Sequence, residues 1–202
     1  MFKNNQSTFY PEDVTLLLTD ITGKIEPLPT AQREALIQGG IHYSEMLPLE
    51  YKPSEQYSAE YYRSLEAFSV KTAQCVIVLA EKIYIAKNKR AVIVSLARAG
   101  TPIGILIKRY LFLKYNYSAP HYTISIVRGR GIDKNAMRYI LDRHSADELQ
   151  FIDGWTGKGA ILNELSILVS FTDEVAGSRS KVNFPVLVPS KVLNIILCIL
   201  LF

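Results

Sequence analysis

Apolar and β-branched residues in the middle of the chain group into three short runs, at residues 91–97, 121–127 and 149–153. Such runs are typical of strands that are buried in a parallel sheet. Residues 102–115 and 134–143 follow the first two runs and favour helices. Strands that alternate with helices predict right-handed βαβ units. The pattern therefore predicts an α/β fold with a parallel, Rossmann-like sheet.

A longer helix is predicted before the first of these strands, over residues 58–86. Side chains near one face of it recur at helical spacing: Phe68, Thr72, Cys75, Leu79 and Ile83. Residues 1–66 are rich in Tyr, Pro and Glu and have little periodicity, which indicates an irregular N-terminal cap or hood. We therefore divide the chain into this cap, an α/β core at 67–170 and a C-terminal segment with an apolar tail at 171–202.

In parallel α/β sheets, ligands bind at the carboxyl ends of the strands. Each predicted strand ends in residues suited to a polar ligand: Arg98 after the first, Arg128 and Arg130 after the second, and Asp153 after the third. After Arg98, Thr101 is a good N-cap for the helix that follows. The sequence thus predicts a ligand site built from three strand ends.

The third strand end carries the most specific motif, residues 149–159 (LQFIDGWTGKG). Asp153 is followed by a turn of small residues and then by a helical segment, so free backbone N–H groups and a helix dipole favour an anion there. The predicted phosphate cradle is Thr156, Gly157, Lys158 and Gly159. The glycine spacing is not that of a Walker A loop. The alternatives are a sugar-phosphate or nucleotide site and a glycine-rich turn without a ligand.

Charge is distributed unevenly along the chain, whose net charge is +4. Residues 67–170 carry fifteen Lys and Arg against seven Asp and Glu, whereas residues 1–66 carry five against ten. The basic surplus therefore coincides with the predicted phosphate loop, and it suits a small anionic ligand or nucleic acid. A solvated basic face is the alternative.

The two cysteines, Cys75 and Cys198, lie far apart in apolar contexts and predict no disulfide or metal site. We therefore expect a reducing, cytoplasmic setting and interpret Cys75 as a core thiol. The N-terminus lacks the apolar region of a signal peptide. Residues 191–202 are strongly apolar but shorter than the roughly 20 residues of a spanning helix, so we expect no membrane anchor.

Four segments carry a resemblance to known proteins: residues 10–18 (YPEDVTLLL), 42–48 (HYSEMLP), 95–104 (SLARAGTPIG) and 151–161 (FIDGWTGKGAI). With them the chain resembles type I phosphoribosyltransferases, above all the phosphoribosyltransferase-like proteins of tellurite-resistance and stress-response gene clusters. Some of those relatives are labelled cysteine proteases. The resemblance covers about residues 10–170.

The resemblance implies a type I phosphoribosyltransferase fold that binds phosphoribosyl pyrophosphate (PRPP), or another ribose 5-phosphate ligand, with Mg²⁺. It implies that the pyrophosphate lies against the first strand end, at Arg98, Ala99, Gly100 and Thr101. The 5-phosphate would lie at Thr156 to Gly159, and Asp153 would meet the ribose and, indirectly, the metal. Gly154 occupies the place of the family's second acid.

The expected activity is transfer of the phosphoribosyl group to an unidentified nitrogenous acceptor base. Arg98, Arg128 and Arg130 would neutralise the leaving pyrophosphate, and Asp153 would hold the ribose. The alternative is a non-catalytic regulatory module on the same fold that binds a nucleotide or RNA. A homodimer is a further expectation.

Overall fold

The computed structural model describes residues 7–127 and 129–154. A four-stranded parallel sheet forms the centre of this part of the chain, in the order β1-β5-β4-β8. Its strands are β1 (Thr15–Leu17), β4 (Val92–Leu96), β5 (His121–Ile124) and β8 (Leu149–Ile152). Four shorter strands form two small pairs: β2 (Pro27–Leu28) with β3 (Leu47–Pro48), and β6 (Ile126–Val127) with β7 (Gly131–Ile132).

The predicted α/β fold with a parallel sheet is confirmed. β4 lies between β5 and β8, and all five of its residues are buried, as expected for a central parallel strand. The sequence did not predict β1, which pairs with β5 through the register Leu16 to Thr123. Three residues are too few to show a period, so the pairing with β5 is what makes this segment a strand.

Helices cover both faces of the sheet. The α-helices of the described residues are α1 (Thr30–Gln38), α2 (Glu55–Ala86), α3 (Gly100–Tyr115) and α4 (Lys134–Leu141), of which α2, α3 and α4 pack on the sheet. On one face, Met137 and Ile140 of α4 pack against Val94 and Phe151 of the strands. The opposite face is covered by α2 and α3. The apolar residues that meet there are Val76, Leu79, Ile83, Ile103, Ile107, Ile93 and Ile152.

Helix α2 confirms the long helix predicted from the sequence, although it begins three residues earlier. Its N-cap is Ser54, whose Oγ accepts a hydrogen bond from the Tyr57 N–H at 3.1 Å. At a rise of 1.5 Å per residue, its 32 residues span about 48 Å. Among the described residues, none of the helices is both long enough and apolar enough to span a membrane.

α2 is much longer than the strand that it covers. It ends next to the start of β4, and the five residues of β4 rise only about 16 Å. About eleven residues of helix match that length, and the buried apolar residues of α2 accordingly lie between Val76 and Tyr84. The N-terminal two thirds of α2 therefore extend beyond the carboxyl edge of the sheet.

Candidate functional site at the carboxyl edge of the sheet

The turn after β4 is pressed directly against the end of β8. A Cβ atom added to Gly100 would lie 2.2 Å from the Ile152 carbonyl oxygen, so the close approach of two backbones requires glycine. α3 begins at Gly100, with Ala99 in the N-cap position. The predicted N-cap, Thr101, is therefore wrong. Its buried hydroxyl lies 3.1 Å from Thr123 Oγ1 and 3.4 Å from the Leu96 carbonyl oxygen.

Arg98 and Asp153, predicted from two different strand ends, meet in the structure. The Arg98 Nε atom lies 3.2 Å from Asp153 Oδ1, and the Gly154 N–H donates to the same oxygen at 2.8 Å. The Asp153 side chain is only 2% exposed, whereas that of Arg98 is 37% exposed. A buried carboxylate needs such partners to offset its lost hydration. Arg98 therefore stabilises Asp153 and extends from it to the protein surface.

Gly154 has a packing role next to this ion pair. A Cβ atom added there would lie 2.7 Å from the Ala99 side chain, because the turns after β4 and β8 are in contact. An acidic residue, as in the phosphoribosyltransferase motif, would therefore collide with Ala99. Gly100 and Gly154 are therefore both required by contacts within the protein.

The hairpin formed by β6 and β7 brings a second polar group to the same edge. Arg130 forms an ion pair with Glu45, and both side chains are about half exposed. A Cβ atom added to Gly129 would lie 4.0 Å from His42 Nε2, so the hairpin lies beside this part of the N-terminal segment. His42 Nδ1 lies 2.8 Å from Ser44 Oγ and accepts from the Ser44 N–H.

Five of the predicted site residues lie outside the described residues: Arg128, Thr156, Gly157, Lys158 and Gly159. Within the described ranges, no group of three or more His, Cys, Asp or Glu side chains could hold a metal ion. Mg²⁺ near Asp153 stays a prediction, as do the ligand roles of Ala99, Gly100 and Thr101.

A buried polar network, which the sequence analysis missed, lies beneath α3. Ser95 Oγ lies 2.8 Å from His121 Nε2, and His121 Nδ1 lies 2.9 Å from the Asp13 carbonyl oxygen. Burial lowers the pKa of His121 to about 4, so the ring is neutral at physiological pH. A serine beside a histidine is typical of hydrolases. Here both side chains are buried, and the third partner is the backbone carbonyl of Asp13 in the turn before β1, so the network joins β4, β5 and that turn.

Gly104 of α3 covers this network. A Cβ atom added there would lie 2.3 Å from Ser95 Oγ and 2.5 Å from His121 Nε2. The sequence contained one signal of the network: a polar Ser95 and a polar His121 stand within runs that are otherwise apolar or β-branched. Only the pairing of β4 with β5 shows that the two side chains meet.

Cys75 is a free thiol on α2, and it is half-buried where the sequence analysis predicted a core thiol. α2 covers β4 with about its last eleven residues, so Cys75 lies near the level of the carboxyl ends of the strands. In the described part of the chain, Cys75 has no hydrogen bond to any of the three histidines. Their recorded side-chain partners are Ser44 for His42, Ser95 and Asp13 for His121, and Tyr122 for His144.

Comparisons with known proteins find matches whose names refer to stress resistance and to cysteine proteases. Residues 7–194 match the model of the family described as tellurite-like stress resistance cysteine protease StiP. A curated relative, "Cysteine protease StiP" of Acinetobacter baylyi (strain ATCC 33305 / BD413 / ADP1), is 40% identical over 159 residues, which are 78% of this chain and 41% of that protein. The chain thus spans about two fifths of that relative's length. No solved structure matches.

These comparisons correct the expected activity. The stress-resistance setting is supported, but both matches are named cysteine proteases. Phosphoribosyl transfer, and with it the transferase class, is therefore wrong, and the matches do not support the nucleotide- or RNA-binding alternative. A physical reason lies at Gly154, which stands in the place of the family's second acid: the contact between the strand-end turns leaves no room there for a second carboxylate.

Proposed function

The chain belongs to the StiP family of tellurite-like stress-resistance cysteine proteases, and we propose that it hydrolyses peptide bonds with Cys75 as the nucleophile. A cysteine protease needs a thiol that substrate can reach. The observation that carries the proposal is the location of Cys75: a free, half-buried thiol on α2, near the level of the strand ends. The second thiol of the chain, Cys198, lies outside the described residues.

The surroundings of Cys75 support this assignment. In α/β proteins the carboxyl edge of a parallel sheet is the common position of active sites. Ile103, in the same apolar cluster as Val76, would lie 3.5 Å from a Cβ atom on Gly154. Because α2 covers β4 with about its last eleven residues, Cys75 lies toward the edge where Arg98 and Asp153 form their ion pair.

The chemistry assigned to Cys75 is thioester formation followed by hydrolysis. The Cys75 thiol gives its proton to water, and the thiolate attacks the carbonyl carbon. The C–N bond breaks as the leaving nitrogen takes a proton from the general acid. Water then hydrolyses the thioester, which releases the carboxylic acid and restores the thiol. Arg98 is a cation held in place by Asp153 and suits an acidic group of the substrate. His42, beside the hairpin at the carboxyl edge, is the candidate general acid, and in its protonated form it donates to the leaving nitrogen.

The test compares the two cysteines in the same protein. Hydrolysis of a fluorescent peptide library is measured for wild type, Cys75→Ala and Cys198→Ala, each checked for folding by circular dichroism. We expect Cys75→Ala to lose activity by about 10²-fold or more, because the nucleophile is removed. Cys198→Ala should retain it. The reverse result would assign the nucleophile to Cys198, and activity in both variants would exclude a thiol mechanism.

Alkylation with iodoacetamide provides a second measurement that does not require the natural substrate. Modification of Cys75, located by mass spectrometry, should proceed in step with loss of hydrolysis. Complete modification of Cys75 with full retention of activity would contradict the proposal. His42→Gln should slow hydrolysis while the rate of Cys75 alkylation stays unchanged, because His42 is assigned to the leaving group and not to the thiol.

A further inference from the structure

Arg98 is fixed in place by three neighbouring segments. Its backbone N–H donates to the Leu96 carbonyl oxygen at 2.6 Å, and its carbonyl oxygen accepts from the Thr101 N–H at 3.2 Å. Its side chain is held by the buried carboxylate of Asp153, whose Oδ1 atom lies 3.2 Å from Nε. Arg98 is therefore tied to β4, to α3 and to the end of β8, and it loses little further conformational freedom when it binds a ligand.

The contact with Asp153 uses one side of the guanidinium group. Arg63 and Arg109 each hold their carboxylate with two nitrogens, Nε and Nη2. Among the described residues, the recorded partner of the Arg98 side chain is Asp153, and the contact is made through Nε. The terminal nitrogens Nη1 and Nη2 are donors as well. The side chain is 37% exposed, so a ligand can reach them.

The exposed side of this ion pair is cationic. The charge of Asp153 is buried, and its Oδ1 atom also accepts the Gly154 N–H. Arg130, on the hairpin at the same edge, is already paired with Glu45. A ligand at this edge therefore meets the guanidinium group of Arg98 and not the carboxylate that holds it.

The shape of the guanidinium group favours one class of ligand. Its two terminal nitrogens lie in one plane and match the two oxygens of a carboxylate. A peptide contains carboxylates of two kinds, the side chains of Asp and Glu and the C-terminus. A side-chain amide has one acceptor oxygen and no charge, so it cannot form the same pair.

We propose that the terminal nitrogens of Arg98 bind a carboxylate of the substrate, so that the protein selects peptides that are acidic near the cleaved bond. Asp153 holds the guanidinium group at the edge for this purpose. That the carboxylate belongs to a peptide rests on the proposed function. The recognition of a carboxylate rests on the geometry of Arg98 and Asp153.

Protection against phenylglyoxal, which modifies the terminal nitrogens of arginine, tests the carboxylate site without hydrolysis. Full-length wild type is treated alone and with N-acetylglutamate α-amide, N-acetylalanine or the neutral N-acetylglutaminamide, and each arginine is followed by mass spectrometry. The two acids represent the two kinds of carboxylate. At millimolar concentration at least one of them should slow the modification of Arg98 by about threefold or more, whereas the neutral amide should not.

Arg63, which is exposed and paired with Glu60 on α2, is the internal control for this measurement. Its modification should proceed at the same rate with and without the acids. Equal slowing of Arg98 and Arg63, or equal rates at Arg98 with acid and with amide, would overturn the proposal.

Peptide hydrolysis connects the carboxylate site to the proposed function. Matched fluorogenic peptides carry Glu or Gln at each position in turn, with a free or an amidated C-terminus. For wild type, kcat/KM of the preferred acidic peptide should exceed that of its amide counterpart by about tenfold or more, the scale of charge-assisted hydrogen bonds. Arg98→Gln should bring this ratio close to one. Lys82→Gln removes the same charge from an exposed position on α2 and should leave the ratio unchanged.

The outcomes separate the two proposals. Hydrolysis with equal kcat/KM for acidic and amide peptides would overturn carboxylate selection and leave Cys75 as the nucleophile. Protection of Arg98 by an acid, without hydrolysis of any peptide, would overturn the protease proposal and support the carboxylate site. If Arg98→Gln does not fold, Arg98→Lys takes its place. Lysine retains the charge but not the planar pair of donors, so the ratio should fall, and an unchanged ratio would contradict the paired geometry.

Discussion

Two polar groups of the same α/β core differ in what surrounds them. The Ser95–His121 network lies beneath α3 and is buried on every side that the structure describes, and Gly104 packs directly upon it. The Arg98–Asp153 pair lies at the carboxyl edge, where one partner is buried and the other reaches the surface. The first contains a nucleophile and a base by residue type, yet its position makes it structural. Whether a ligand can reach the side chains, more than their residue types, distinguishes a candidate site from a network in the core.

The largest loss of stability is expected from a substitution at Gly104, which packs tightly on the buried Ser95–His121 network. Gly104→Ala would place a methyl group 2.3 Å from Ser95 Oγ and 2.5 Å from His121 Nε2. Overpacking and loss of the buried hydrogen bond together should lower the free energy of unfolding by about 3 kcal/mol or more. Urea denaturation measures this change. A loss below about 1 kcal/mol would show that α3 can shift without cost and that the network is not tightly packed.

The buried network should also make stability depend on pH. Burial lowers the pKa of His121 to about 4, below its ordinary value, so the unfolded state binds more protons than the native state between about pH 6.5 and 4. The contribution of His121 to the free energy of unfolding is therefore fully present above pH 6.5. It falls as the pH decreases from 6.5 to 4, by up to about 1.4 kcal/mol per pH unit.

Urea titrations at several pH values, on wild type and His121→Gln, provide the measurement. The variant should lose the part of the slope between pH 6.5 and 4 that His121 contributes. An unchanged slope in a folded variant would assign the pH dependence to other groups, such as the carboxylates.

A substitution of Arg98, at the carboxyl edge, should lower the free energy of unfolding by less than Gly104→Ala, because the Arg98 side chain is partly exposed to solvent. Arg98→Ala should cost about 1–2 kcal/mol, since it removes a charged partner from the buried Asp153 carboxylate. A double-mutant cycle with Asp153→Asn isolates the coupling between the two side chains. Coupling near zero would mean that other contacts hold Asp153, and that Arg98 is fully available to a substrate.

The smallest effect belongs to the exposed pair of Arg130 and Glu45. Both side chains are about half exposed, so Arg130→Ala should change the free energy of unfolding by less than about 0.5 kcal/mol. Thermal unfolding of wild type and Arg130→Ala, at low and at high salt, measures this change in the free energy of unfolding. If the loss is as large as for Arg98→Ala, the hairpin of β6 and β7 contributes more to the fold than its exposure indicates.

Helices and strands with strong local patterns could be predicted from the sequence. β4 is an apolar run interrupted only by Ser95, and α2 and α4 follow the helices expected from the sequence, so the existence and approximate bounds of these elements agree with the prediction. β1 could not be found, because three residues carry no period and the pairing partner, β5, is about a hundred residues away. The start of α3 was misplaced at Thr101, since local capping preference does not include the contact of Gly100 with Ile152.

For the candidate site, the sequence identified which residues carry chemistry but not what they contact. Because the strands were predicted to be parallel, the sequence placed Arg98 and Asp153 at the same edge of the sheet. It did not show that they pair, because that depends on β4 and β8 being neighbours in the sheet. Gly100 and Gly154 have the composition of a phosphate turn, but their nearest neighbours are backbone and side-chain atoms of the protein. The exposure of Cys75 likewise depends on where the sheet ends beneath α2.

The sequence by itself determined the α/β class, the long helix and the set of charged residues at the strand ends, because these depend on local period and on chain order. Only the tertiary structure decided which glycines serve packing, which serine and histidine are buried together, and how far α2 extends past the sheet. Those properties depend on distances between segments that are far apart in the chain. One example is the 2.2 Å between a Cβ atom added to Gly100 and the Ile152 carbonyl oxygen. Local sequence preferences contain no term for such distances.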